Sequence, residues 1–209
     1  MSAQDHFPTL AVPVGDPAGI GPEVVTSAMA RLEVRAAAKV LAIGPSELRP
    51  DAVPLVEDPL EAAELPSAWL ATEGPKDWSM GEPSAACGEA AIAALRAGHE
   101  LAFAGAVDGL VTGPVSKEAF HLAGERVEGQ TELLAQWCGV ERYGMLAMTG
   151  ELRALLLTRH MPLREALASI TREAVLDHLE LLNSTLKELG FAEPRLALPG
   201  LNPHAGEAG

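Results

Sequence analysis

Short apolar runs alternate with stretches of helical periodicity along most of the chain. Thr9–Val14 is apolar and ends at Gly15-Asp16-Pro17, which predicts a buried strand and then a turn. Pro22 and Glu23 suit the first turn of a helix. A missing N–H costs nothing there, and a carboxylate meets the positive end of the dipole. That helix is expected to reach Ala38, and Val40–Ile43 to form a second strand before Gly44-Pro45. Residues 50–83 are rich in proline and acid with little periodicity, which predicts loops around one or two short strands. Ser84–Ala104 is alanine-rich and reads as a helix, Gly109–Thr112 as a strand, and Ser116–Leu122 as a short helix.

The pattern continues through the second half. Thr131–Cys138 reads as a helix, and Met145–Met148 and Leu152–Thr158 as strands joined by a turn at Thr149-Gly150. Leu163–Ile170 is a short helix and Thr171–Leu189 a longer one. Leu176, Leu179, Leu182, Leu186 and Leu189 are expected on one face of the longer helix, and Gly190 caps it. Arg195–Leu198 reads as a last strand before a loop at Pro199-Gly200-Leu201. Strands alternating with helices predict an α/β protein. We expect a first α/β domain over 1–125 and part of a second over 126–209.

Composition narrows the function. Of 209 residues 48% are hydrophobic and only 4% aromatic, which suits helices on a sheet better than a β-sandwich. The formal charge of −14 makes nucleic acid an unfavourable general partner. Cys87 and Cys138 lie far apart with no CxxC spacing, so neither a disulfide framework nor a zinc finger is expected. A reduced cytoplasmic setting fits that usage. Met1–Pro8 carries no basic patch followed by an apolar run, and no stretch is apolar and long enough to span a bilayer.

Chemistry concentrates in loops that follow strands. Gly15-Asp16-Pro17-Ala18-Gly19-Ile20-Gly21-Pro22-Glu23 leads from a strand into a helix. Its glycines permit tight turning and close backbone approach to a ligand. Its spacing is neither GxGxxG nor a Walker loop. On spacing alone, a plain turn and a ligand loop fit it equally. Val111-Thr112-Gly113-Pro114-Val115-Ser116-Lys117-Glu118 is a second such loop. A cation at Lys117, in a first helical turn, suits either a bound anion or open solvent. Gly129-Gln130-Thr131-Glu132 precedes a helix, where capping and ligand roles are compatible. His160 and His204 each follow a strand, where neutral imidazole is a common metal ligand and also a common structural residue.

These motifs, with 158–163 and 201–207, occur in an order and spacing that resemble the 4-hydroxythreonine-4-phosphate dehydrogenase family from Leu10 to Gly209. The resemblance implies a fold similar to isocitrate and isopropylmalate dehydrogenases, with two α/β domains around a cleft, the second incomplete here. It implies a homodimer, and NAD or NADP bound without the usual fingerprint. It also implies a divalent metal such as zinc, magnesium or cobalt. The small phosphorylated hydroxy amino acid 4-phosphooxy-L-threonine would be oxidised and decarboxylated to 3-amino-2-oxopropyl phosphate.

Carried over by position, His160 and His204 match two of three metal ligands, and Thr131 matches a substrate contact. Gln130 stands where the biosynthetic enzymes have histidine, which raises threonate or erythronate phosphates as alternative substrates. Asp16 and Lys117 are further substrate candidates. No catalytic residue is assigned. The family extends beyond the equivalent of Gly209, with a third metal histidine, further substrate residues and much of the NAD contact. The isolated chain is therefore expected to turn over weakly or not at all. The remaining alternative is a fragment that only binds or dimerises.

Overall fold

The structure, a computed structural model, describes residues 7–204. The chain divides into two compact units, Met1–Cys138 and Gly139–Gly209.

The first unit is built on an all-parallel sheet. Strands β1 (Thr9–Pro13), β2 (Lys39–Pro45), β3 (Leu55–Val56), β4 (Ser67–Thr72) and β5 (Gly109–Leu110) lie in the order β3-β4-β2-β1-β5. Helices α1 (Gly21–Ala30), α2 (Leu32–Arg35), α3 (Ala85–Phe103), α4 (Lys117–Leu122) and α5 (Gln130–Cys138) complete the unit. Parallel strands need both faces covered, which explains why the strands are continuous apolar runs. Ala11, Leu41, Ile43 and Ala68 pack with Ala94 of α3. Their alternate neighbours Val12, Val14, Val40, Ala42 and Trp69 pack with Val25 and Met29 of α1. Helices α1 and α3 thus cover opposite faces. Trp69 is wholly buried, and its ring N–H donates to the Gly44 carbonyl at 2.9 Å.

Helix α3 starts where Ser84 accepts the Cys87 N–H, and it lies close against α4. A Cβ on Gly88 would come within 2.1 Å of the Ala119 carbonyl oxygen, so the close approach requires glycine. Phe120 of α4 and Leu133 of α5 join Ala91 and Leu95 of α3 in a third cluster.

Two sequence expectations change in this unit. The helix expected to reach Ala38 breaks at Arg31, which is extended (φ −73°, ψ 135°). Met29 and Val34 pack in the same cluster. Five residues apart on one continuous helix they would face about 140° apart, so the break lets both reach the sheet. The strand expected over Gly109–Thr112 is assigned only at Gly109–Leu110. Its pairing nevertheless continues, because the N–H groups of Val111 and Gly113 donate to Ala11 and Pro13.

In the second unit, β6 (Leu146–Thr149) and β7 (Leu152–Leu155) form an antiparallel hairpin. Helices α6 (Leu163–Ser169) and α7 (Arg172–Glu188) follow. Thr171 caps α7 by accepting the Ala174 N–H. Beside the hairpin and α7 lies a cleft of about 760 Å³, lined by Leu155, Leu157, Leu179, Leu182, Phe191 and Leu196.

The expected leucine face of α7 holds at Leu179, Leu182 and Leu186, whereas Leu176 and Leu189 are exposed. Leu176 lies about 100° around the helix from Val175, which lines the cleft. The strand expected at Arg195–Leu198 does not form among the described residues. A strand needs a neighbour for its N–H and C=O groups, and β6 and β7 pair only with each other. Among the described residues no helix is long and apolar enough to cross a membrane.

Candidate functional site

The sheet order defines a special place. The chain moves outward from β1 through β2 to β4, then returns through α3 to set β5 on the opposite side of β1. Ligands of open α/β sheets bind at such a reversal, outside the carboxyl ends of the strands. Here those ends open into residues 14–20 and 111–116.

The two loops touch through their backbones. The Asp16 N–H donates to the Pro114 carbonyl at 3.1 Å. Gly15 has φ 85°, and a Cβ there would fall 2.0 Å from the Pro114 oxygen. A Cβ on Gly21 would fall 2.2 Å from the Val14 oxygen. The glycines are therefore needed for the loops to meet, whatever else they serve. Residues 73–84 also fasten here, through the Gly81 N–H and the Ala18 carbonyl at 2.7 Å.

Four of the expected site residues belong to this unit. Asp16 is 3% exposed, and its Oδ1 accepts the Ala18 N–H at 2.8 Å. The Gln130 side-chain amide donates from Nε2 to the Gly113 carbonyl at 3.1 Å. Asp16 and Gln130 are thus fixed to adjoining peptides of one loop. Thr131 is half-buried beside Gln130, at the start of α5. Lys117 is exposed in the first turn of α4, directly after the Ser116 cap.

Two lie in the second unit. His160 is exposed and has φ 39°, the one positive-φ residue besides glycine among the described residues. Histidine tolerates this region better than most residues, and such outliers are enriched at functional sites. Its neighbour Arg159 stacks on the Tyr143 ring at 4.6 Å. His204 is exposed, and its backbone N–H donates to the Asn202 side chain. Among the described residues no three His, Cys, Asp or Glu side chains form a group that could hold a metal ion. These two imidazoles are therefore not a complete site by themselves.

Sequence reasoning missed the hub of the arrangement, the carbonyl groups of Gly113 and Pro114. A carbonyl has no residue signature; the only signal was the Gly-Pro break after an apolar run. It also left 73–84 as plain loop. Two further histidines, His99 and His178, are half-buried. The His99 ring lies 5.6 Å from those of Phe103 and Trp137, and His178 bonds the Ala174 carbonyl.

Comparison with known proteins gives a consistent picture. Residues 21–209 match the family model described as pyridoxal phosphate biosynthetic protein PdxA. A 4-hydroxythreonine-4-phosphate dehydrogenase of Synechococcus sp. (strain JA-3-3Ab) is 39% identical, over 97% of this chain and 62% of its own length. A D-threonate 4-phosphate dehydrogenase of Pectobacterium atrosepticum is 35% identical, over 96% of this chain and 65% of its own. The crystal structure of a 4-hydroxythreonine-4-phosphate dehydrogenase from Burkholderia phymatum superposes with a TM-score of 0.82 at 32% identity, covering 97% of this chain and 65% of that one. This chain therefore spans a little under two thirds of the length of these relatives.

Proposed function

Because the chain belongs to the PdxA family of pyridoxal phosphate biosynthetic proteins, we propose that it carries part of an NAD-dependent dehydrogenase that oxidises and decarboxylates 4-phosphooxy-L-threonine to 3-amino-2-oxopropyl phosphate. The observation that carries this reading is the convergence of three separate sequence motifs. Residues 15–23, 111–118 and 129–132 meet at one reversal point of the sheet, through Asp16, Pro114, Gly113 and Gln130. The relatives support a dehydrogenase with a nicotinamide cofactor.

In this reading the cofactor supplies the hydride acceptor, and the chain's own residues bind and orient. Gln130 and Thr131 contact substrate at the start of α5. Gln130 can hydrogen-bond it but cannot donate a proton as an imidazolium does. Lys117 offers a point charge to the phosphate end. His160 and His204 are assigned as two metal donors, and an ion there needs further donors. The complete enzyme is read as an isocitrate-dehydrogenase-like homodimer, working in the cytoplasm on a small phosphorylated acid.

A second reading has its own support. Gln130 replaces the expected histidine, and relatives at 35% identity are named for D-threonate 4-phosphate. One assay separates the two: NADH formation with each substrate, NAD and a panel of divalent metals, with intact mass recorded on the same sample. The 209-residue chain is expected to give little or no turnover, and a chain extended to the relatives' length to restore it. Preference for D-threonate 4-phosphate moves the assignment to the second reading. Silence of the extended chain on both substrates removes the dehydrogenase reading.

A further inference from the structure

The reversal-point crevice holds a carboxylate that the substrate reading leaves poorly explained. Asp16 is 97% buried, judged by its 3% exposure, yet it forms no ion pair among the described residues. Its Oδ1 caps Ala18, and no donor among the described residues reaches Oδ2. That oxygen is not sealed off either, since the buried polar side-chain atoms without a partner belong to Thr72, Arg153 and Arg159. A nearly buried anionic oxygen with one open side calls for a hydrogen-bond donor. It repels the phosphate and carboxylate ends of a phosphorylated hydroxy acid.

The rim narrows the choice of donor. Ile20, four residues along the same loop, is 62% exposed although it precedes a buried helix start. A hydroxyl donor beside an open apolar surface is the chemistry of a nucleoside, sugar next to flat ring. Carboxylates at strand ends of α/β sheets take ribose hydroxyls in this way. We infer that Asp16 accepts the adenosine 2′-hydroxyl of the nicotinamide dinucleotide, with Ile20 beneath the adenine, and so selects NAD against NADP. The inference rests on the dehydrogenase reading for the identity of the nucleotide. A 2′-phosphate would set like charge against the open oxygen.

Binding, not turnover, tests this. NAD and NADP are titrated by calorimetry into the chain extended to the relatives' length and into its Asp16→Asn variant, whose amide oxygen still caps Ala18. O-phospho-L-threonine is titrated in parallel, because an ammonium group is the other donor such an oxygen could hold. NAD is expected to bind at least about tenfold tighter than NADP, one charge-assisted contact's worth, and Asp16→Asn to bring the two within a few-fold. Circular dichroism confirms that the variant is folded. Equal binding of the two dinucleotides overturns the inference, as does a preference that Asp16→Asn retains or the binding of neither at millimolar concentration. An effect of Asp16→Asn confined to O-phospho-L-threonine assigns the oxygen to substrate instead. Turnover of the extended chain with an NAD preference untouched by Asp16→Asn would sink this inference and leave the dehydrogenase reading standing.

Discussion

The two units spend similar sequence on opposite results. In the first, both faces of a parallel sheet are covered and most apolar strand residues are buried, with Leu55 of the edge strand β3 the main exception. In the second, Leu186 is the one buried hydrophobic residue among those described, while Met148, Leu152, Leu163, Leu167, Leu176 and others are exposed. The second unit has a two-stranded hairpin, and one hairpin with two helices cannot enclose that many leucines. An amphipathic pattern therefore states that a face is to be covered, not what covers it. The difference teaches where stability and chemistry should be sought. The first unit can hold a site rigidly, whereas the second leaves many large apolar side chains open to solvent.

The sharpest break between the units is a pair of truncations. Trp69→Ala removes a fully buried ring and its bond to the Gly44 carbonyl. A loss of about 3–5 kcal/mol is expected, the range for large aromatic truncations in a packed core. Leu176→Ala removes a side chain that is 51% exposed, and a change within about 0.5 kcal/mol is expected. Hydrogen exchange resolved by segment measures both, reading β1, β2 and β4 for the first and α7 for the second. Comparable losses would mean that the second unit is packed far more tightly than its exposed leucines indicate.

How much of this was readable beforehand follows the same division. Strand and helix order was legible because period-two and period-3.6 patterns are local. The break at Arg31 was not, since it serves a tertiary need, bringing Val34 onto the face that holds Met29. The strand expected at Arg195–Leu198 failed for the complementary reason: β-propensity gives no partner. The candidate site was legible as motifs and spacing. Its assembly was not, because Gly113 and Pro114 act through carbonyl oxygens and Asp16 through burial, and neither is visible in residue type. The left-handed backbone at His160 also has no sequence mark.

A glycine pair sharpens the comparison at the next level of effect. Gly15 and Gly150 both have positive φ, at 85° and 53°. A Cβ on Gly15 meets the Pro114 oxygen at 2.0 Å, whereas one on Gly150 meets nothing within 4 Å. Gly15→Ala therefore combines backbone strain with a clash against a fixed peptide, and a loss of about 2–4 kcal/mol is expected. Gly150→Ala adds backbone strain alone, about 1 kcal/mol. Thermal unfolding of both variants, followed by circular dichroism, checks the order. If the two melt together, the approach of the two loops is looser than described, and the crevice at Asp16 loses its floor.

The smallest effect tests the tether that joins α5 to that crevice. Gln130 donates to the carbonyl of Gly113, and Gly113 is itself buried. Gln130→Ala leaves that acceptor without its side-chain donor, and about 1–2 kcal/mol is expected. Its counterpart in the second unit is Arg142, which pairs with Asp177 at 2.7 Å and with Glu180 at 3.3 Å while 44% exposed. Arg142→Ala is expected to cost under about 1 kcal/mol, since exposed ion pairs are screened and entropically costly. Urea titrations give both values, and added salt should shrink only the second. Gln130→His then asks whether an imidazole N–H can replace the amide. Recovery to the wild-type midpoint would show that the tether to Gly113 is what the position requires, with glutamine and histidine as equivalent donors. Failure to recover would mean that glutamine is fitted to this loop by its length, and the substrate assay of Gln130→His would then report a rearranged crevice as well as changed chemistry.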